Sequence, residues 1–186
     1  MSADGAGGLH TRAGNTMSRT REGLLDGALS AVERVGVRRL TMSAVAQRAG
    51  VAKATLYNHF RTKDDLLAAL VDREVRDVAE HALRAAAAGS VADGLDRAAA
   101  DLGDHVAVRR VLGDEPELAV VLLTPTSAPT WENVRVGLAE LVGADPADPA
   151  VDLCLSWLLR QLVAPQDESV RRASADLLAA AVGARV

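Results

Sequence analysis

The stretch TMSAVAQRAGVAKATLYNHFRTKDDL, Thr41 to Leu66, decides the fold. Val45, Ala46 and Ala49 recur on one side of a short helical segment, Met42 to Ala49, and the hydroxyl of Thr41 is placed to cap it by accepting from an unpaired backbone amide. Gly50 permits a tight turn and Val51 plugs the corner. A second short helix, Ala52 to about His59, buries Leu56, with Phe60 just after it. Two short helices, a glycine turn and small alanines at the crossing are what a helix-turn-helix requires, because the two axes must approach closely. Lys53, Tyr57, His59, Arg61 and Lys63 crowd into the same stretch; a solvated face tolerates such a set but does not need two short apolar-periodic segments joined at a glycine.

Outward from this core the periodicity stays helical. Upstream, from Arg19, Leu24, Leu25, Ala28, Leu29, Val32 and Val35 form one apolar stripe that Gly36 terminates. Downstream, Thr62 with Asp65 reads as a reciprocal cap, opening a long helix that buries Leu66, Leu67, Leu70, Val71, Val75, Val78 and Ala82 and dissolves near Gly89. Ser90 with Asp93 repeats the cap and predicts a helix reaching about Leu112. A brief helix, EPELAVVLL, stops before Thr124-Pro125, and another runs from near Pro129-Thr130 to Val142. The run from Asp145 to Pro149 is a linker that ends in a start signal, Asp148 as cap and Pro149 at the first helical position. The last two helices, Ala150 to Val163 and about Asp167 to Val182, close the chain. The fold class expected is therefore all-α. Residues 1–18 are expected as a disordered tail, 19–63 as a three-helix helix-turn-helix domain, and 64–186 as a second, helical domain.

Composition agrees. Apolar residues make up 49% of the 186, mostly Ala, Leu and Val, while aromatics are 2%. Ala and Leu favour helices, and alternating runs of strand formers are missing. The formal charge of −4 alone argues against a nucleic-acid binder, but it hides an asymmetry. Residues 1–63 hold ten Arg or Lys and four Asp or Glu, a net +6, while the rest holds eleven and twenty-one, a net −10. A basic third on an acidic remainder suggests one polyanion-binding module and a body with another task. Cys154 is the only cysteine, so no intrachain disulfide forms and a reducing, cytoplasmic setting is expected. No apolar run reaches the about 18 residues of a membrane span, and the N-terminus has no apolar core like that of a signal peptide. Arginine and alanine far outnumber lysine, which suggests a GC-rich bacterial genome.

The segment Ala150 to Val163 is apolar nearly all round, and such a helix must be covered on every side. A two-fold partner presenting the same last two helices supplies that cover, so a homodimer through a four-helix interface is expected.

Residues Arg19 to Leu70 resemble the DNA-binding domain of the tetracycline-repressor (TetR) family of transcriptional regulators. The likeness is carried by Gly36, Leu40-Thr41, Ala46, Ala49-Gly50-Val51, the run Thr55-Leu56-Tyr57-Asn58-His59-Phe60, and Lys63-Asp64-Asp65-Leu66. It implies a second helix lying in the major groove. Family positions that meet base edges fall on Lys53, Ala54 and Tyr57. Positions that meet phosphates fall on Thr41, Thr55, Asn58, His59 and Lys63, with Arg19 and Arg21 as further anchors. Lys53 can donate to guanine O6 or N7, Ala54 can touch a thymine methyl, and Tyr57 can do either. Ala52 and Ala54 bring no hydrogen-bonding group, so part of the specificity is expected from DNA shape.

The resemblance also implies a repressor released from a palindromic operator by a small molecule bound in the helical body. The alternative is a dimeric architectural DNA-binding protein without an effector. His81, His105, Trp131 and Trp157 are candidate pocket residues, and an Ala-, Val- and Leu-rich body suggests an apolar effector. Asp77 with His81, and Asp101 with His105, sit four apart and read as helix-surface pairs rather than metal ligands. Neither a cofactor nor a metal is expected. The sequence offers no nucleophile–base pair and no phosphate loop, the GAGG of the N-terminus lacking a preceding strand, so no enzymatic activity is expected.

Overall fold

The computed structural model describes residues 8–124 and 129–183. Among the described residues the chain forms helices and no strand: α1 (Gly8–Val35), α2 (Met42–Arg48), α3 (Lys53–His59), α4 (Lys63–Ala88), α5 (Val91–Asp104), α6 (Val106–Asp114), α7 (Pro116–Leu123), α8 (Pro129–Val142), α9 (Pro149–Val163) and α10 (Glu168–Gly183). The chain divides into two compact units, one ending at Leu70 and one beginning at Val71.

In the first unit α1 packs on α2 and α2 on α3; the stripe of α1 buries Leu24, Leu25, Ala28, Ala31 and Val32, and Leu40, Val45, Ala46, Leu56, Phe60 and Leu66 are buried as well. Gly36 ends α1 at φ 77° and Gly50 makes the turn at φ 67°, a region in which a Cβ is strained. Gly27 serves the crossing of α1 and α2. A Cβ there would lie 3.1 Å from the Val45 carbonyl oxygen and 3.1 Å from the Ala49 nitrogen. The caps form as their spacing predicts. Thr41 Oγ1 accepts from Ala44 N at 3.2 Å. Asp65 N donates to Thr62 Oγ1 at 3.0 Å, and Thr62 N donates to Asp65 Oδ2 at 3.0 Å.

The second unit packs α5 against α9 and α10, with α8 on α9. Its core gathers Leu95, Ala98, Ala99, Leu138, Leu141, Val151, Cys154, Leu155, Leu158 and Ala175. Gly94 lets α5 lie close to its neighbours, since a Cβ would meet Ala82 O at 2.9 Å and Leu141 Cδ1 at 2.7 Å. Ion pairs Arg171–Asp96 (2.8 Å) and Arg172–Asp93 (2.5 Å) tie α10 to α5, and Arg135 pairs with Asp152 between α8 and α9. Gln161 is fully buried; its amide donates to Gln166 Oε1 at 2.9 Å and its oxygen accepts from Gln166 N at 2.9 Å, fixing the turn into α10.

Two features depart from the periodicity. The helix expected from Ser90 to Leu112 is two helices, broken at His105, which has extended backbone (φ −69°, ψ 99°) and whose ring accepts from Val108 N at 3.4 Å. A side chain that caps the following turn offsets the backbone bonds lost at the break. And α1 begins at Gly8, so a helix occupies residues 8–18, where a disordered tail is expected. Extending a helix already nucleated adds one backbone bond per residue fixed, which requires no apolar stripe.

Candidate nucleic-acid interface

Helix α3 has one buried residue, Leu56, at 0% exposure. At 100° per residue, Lys53, Tyr57, Ala54 and Asn58 follow one another around the helix at about 60°, 100°, 160° and 200° from Leu56, and all four are exposed. The three residues expected at base edges thus share one outward face. The Lys53 ammonium lies over the Tyr57 ring, 5.8 Å from its centroid, a cation–π contact that restricts both side chains. Tyr57 is 43% exposed and Phe60 is 3% exposed. Of these two aromatics of the stretch, Phe60 anchors the unit and Tyr57 faces out.

The residues expected at phosphates lie at the starts of α2 and α4, on α3 and on α1. Thr41 is exposed at the start of α2, its oxygen accepting the cap bond, which leaves its hydroxyl hydrogen to donate elsewhere. Thr55 and His59 are half-buried on the flank of α3. Lys63 at the start of α4 donates to Arg38 O at 3.3 Å, which fastens the first turn of α4 to the α1–α2 turn. Arg19 is exposed on α1. Arg21 is half-buried instead, its guanidinium 5.1 Å from the centroid of the Phe60 ring, so it braces α1 against the end of α3. Two arginines not singled out above, Arg38 and Arg39, stand exposed in the α1–α2 turn next to Thr41. Their adjacency to the Leu40-Thr41 pair was the available signal.

The proposed pocket residues all lie in the second unit, and three of the four have internal hydrogen-bond partners. His81 Nδ1 meets Asp101 Oδ2 at 2.9 Å, and His105 Nε2 meets Glu74 Oε2 at 3.2 Å. Trp157 Nε1 donates to Gln166 Oε1 at 3.0 Å, and Trp131 packs half-buried on the core. The two histidines therefore pair between helices, not with the carboxylates four residues away. Among the described residues no cluster of three or more His, Cys, Asp or Glu has metal-binding geometry, and no helix is long and apolar enough to cross a membrane. Burial pushes the Cys154 thiol up to about 11, so it stays protonated at neutral pH and packs as a small apolar group.

A glycine-turned pair of short helices, the second presenting an ammonium, a methyl and a phenol outward from a basic unit, defines a helix-turn-helix DNA-binding regulator. Residues 24–70 match the sequence model of the bacterial regulatory proteins of the tetR family. An HTH-type transcriptional regulator of Mycobacterium tuberculosis is 28% identical over 159 residues, 78% of this chain and 75% of the relative. The HTH-type transcriptional repressor KstR of Mycolicibacterium smegmatis is 39% identical over 69 residues, 37% of this chain and 34% of the repressor. Among solved structures, the TetR family repressor AlkX from Dietzia shares the fold at a TM-score of 0.65, with 17% identity, covering 88% of this chain and 95% of AlkX. A TetR transcription regulatory protein from Mycobacterium vanbaalenii is 26% identical at a TM-score of 0.57, covering 87% and 96%. The chain is therefore similar to transcriptional regulators of the tetR family, in sequence over residues 24–70 and in fold over most of its length.

Proposed function

We propose that the protein is a homodimeric, sequence-specific repressor released from a palindromic operator by a small-molecule effector. The observation that carries the DNA-reading part is the outward face of α3, where Lys53, Ala54 and Tyr57 are exposed side by side while Leu56 is buried. In this reading these three meet base edges, while Thr41, Thr55, Asn58, His59 and Lys63 meet phosphates, with Arg19 as an additional anchor. Arg21, already stacked on Phe60, serves chiefly to hold α1 in place. Residues 19–63 form the reading domain and residues 64–186 the effector and dimerisation domain.

The last two helices support dimerisation. While α9 buries Val151, Cys154, Leu155 and Leu158, it leaves Leu153 and Val163 exposed, and α10 exposes Val170 and Leu177. Isolated exposed leucines are ordinary, but four large apolar side chains on two consecutive helices suit a two-fold four-helix contact. Each half-site is then read by one α3, the two about 34–36 Å apart.

The effector is apolar in this reading, because the body is built from Ala, Val and Leu with two tryptophans. It acts by favouring a different separation of the two reading helices, commonly by about 1–3 kcal/mol. Helix α4 starts at Lys63 and ends at Ala88, so the polypeptide that contacts phosphate continues into the body as one helix. The test is fluorescence anisotropy on a labelled duplex that the protein binds, titrated with a panel of long-chain acids, sterols, aromatic acids and alkanes. Release by one member supports the repressor; a complex indifferent to the whole panel favours an effectorless architectural protein.

A further inference from the structure

We propose that the Tyr57 ring positions the Lys53 ammonium, so that the two side chains read DNA as one coupled unit rather than as two separate contacts. The inference rests on the DNA-reading face proposed above and says how one of its side chains is held ready. Lys53 and Tyr57 stand one turn apart along α3 and about 40° apart around it. The ammonium lies 5.8 Å from the ring centroid, within the range at which a cation is drawn to an aromatic face. Helix α3 reads KATLYNH and contains no Asp or Glu, so no carboxylate on that helix competes with the ring for the charge. Ala52 and Ala54, on either side of Lys53 in the chain, end at a methyl and offer its ammonium no acceptor.

A carboxylate partner would have to be given up before Lys53 could donate to a base. A ring imposes no such exchange. The ammonium has three N–H donors, and its attraction to the ring face is electrostatic rather than a directed hydrogen bond, so donors stay available for guanine O6 or N7. A lysine side chain is otherwise among the most mobile, and freezing it against a base opposes binding. The ring narrows that freedom before DNA arrives, which is the gain that pre-organisation brings. Tyr57 is 43% exposed, so docking that excludes water from the ring strengthens the same contact. The face of the ring does this and the hydroxyl does not, so phenylalanine should serve in its place and leucine should not.

Selection from a random duplex library with the full chain first identifies the base pair whose preference Lys53→Ala loses. Anisotropy then measures discrimination there, as the ratio of Kd on a duplex changed at that pair in both half-sites to Kd on the preferred duplex. Tyr57→Leu should lower this ratio about two- to fivefold for each half-site, about four- to twenty-fivefold in all, although Lys53 is intact. Tyr57→Phe should hold it within about twofold of wild type, and in a Lys53→Ala background Tyr57→Leu should change it by less than about twofold. No fall with Tyr57→Leu, an equal fall in both backgrounds, or as large a fall with Tyr57→Phe overturns the coupling. In the free chain the ring should shift the Lys53 ε-methylene proton resonances upfield in wild type and Tyr57→Phe but not in Tyr57→Leu. Absence of that shift overturns the pair even where DNA is read normally. A wild type that enriches no sequence, or a Lys53→Ala variant that loses no preference, instead defeats the base-reading assignment of Lys53, and the coupling with it.

Discussion

Leu177→Ala tests the proposed dimer contact. Leu177 is 73% exposed on α10, so removing its side chain deletes little of the fold of one chain, and alanine is at least as good a helix former. Fully burying a leucine contributes about 1.5–3 kcal/mol, so covering the exposed three-quarters contributes about 1–2 kcal/mol per copy. Two-fold symmetry counts it twice, about 2–4 kcal/mol per dimer, and at 1.4 kcal/mol per decade the dimer Kd rises roughly 30- to 700-fold. Sedimentation equilibrium over a wide concentration range measures this, with thermal melting at high dilution as the control that each chain stays folded. A folded Leu177→Ala variant that dimerises as tightly as wild type would place the interface elsewhere and refute the reasoning.

The remaining predictions concern reading, acid stability and packing. Lys53→Ala should weaken the specific duplex by about 1–3 kcal/mol and relax sequence preference, whereas Lys63→Ala should weaken all sequences alike and reduce the salt slope by about one, both read by anisotropy across salt. Asp93 is held down to about 2 by the Ser90 hydroxyl and then by the Arg172 guanidinium, against an ordinary 3.8. A depressed folded value means the contribution is complete above pH 3.8 and is lost as pH falls towards 2, so Asp93→Asn should flatten the acid-unfolding curve in that window. Gly94→Ala should destabilise by about 1–2 kcal/mol, since the contacts its Cβ makes outweigh the better helix propensity. Gly137→Ala, in α8 with nothing within 4 Å, should instead stabilise by about 0.5–1 kcal/mol, and denaturant melts compare the two.

Local chemistry made the helix-turn-helix legible. Thr41, Gly50, the Thr62–Asp65 box and the Ser90–Asp93 box each act within four residues, so their spacing alone announces the helix ends that form. Lys53, Ala54 and Tyr57 share a face because helical periodicity puts them there. What stayed hidden depends on neighbours far along the chain. His81 pairs with Asp101 and His105 with Glu74 because helices pack, and no i, i+4 rule foretells that. The break at His105 is hidden for the same reason, as histidine is not a usual cap and the run from Ser90 to Leu112 keeps a helical pattern. Gln161 likewise reads as the polar end of an apolar helix, yet it is buried to hold the α9–α10 turn.

The central claim is that α3 reads the major groove from a two-fold assembly. Selection of bound sequences from a random duplex library by the purified protein tests this most directly. An inverted repeat should be enriched, with half-sites about one helical turn or a multiple of it apart, and Lys53→Ala should lose preference at one symmetric pair of positions. Enrichment of nothing, or of a single asymmetric site read equally well by Lys53→Ala, would contradict it.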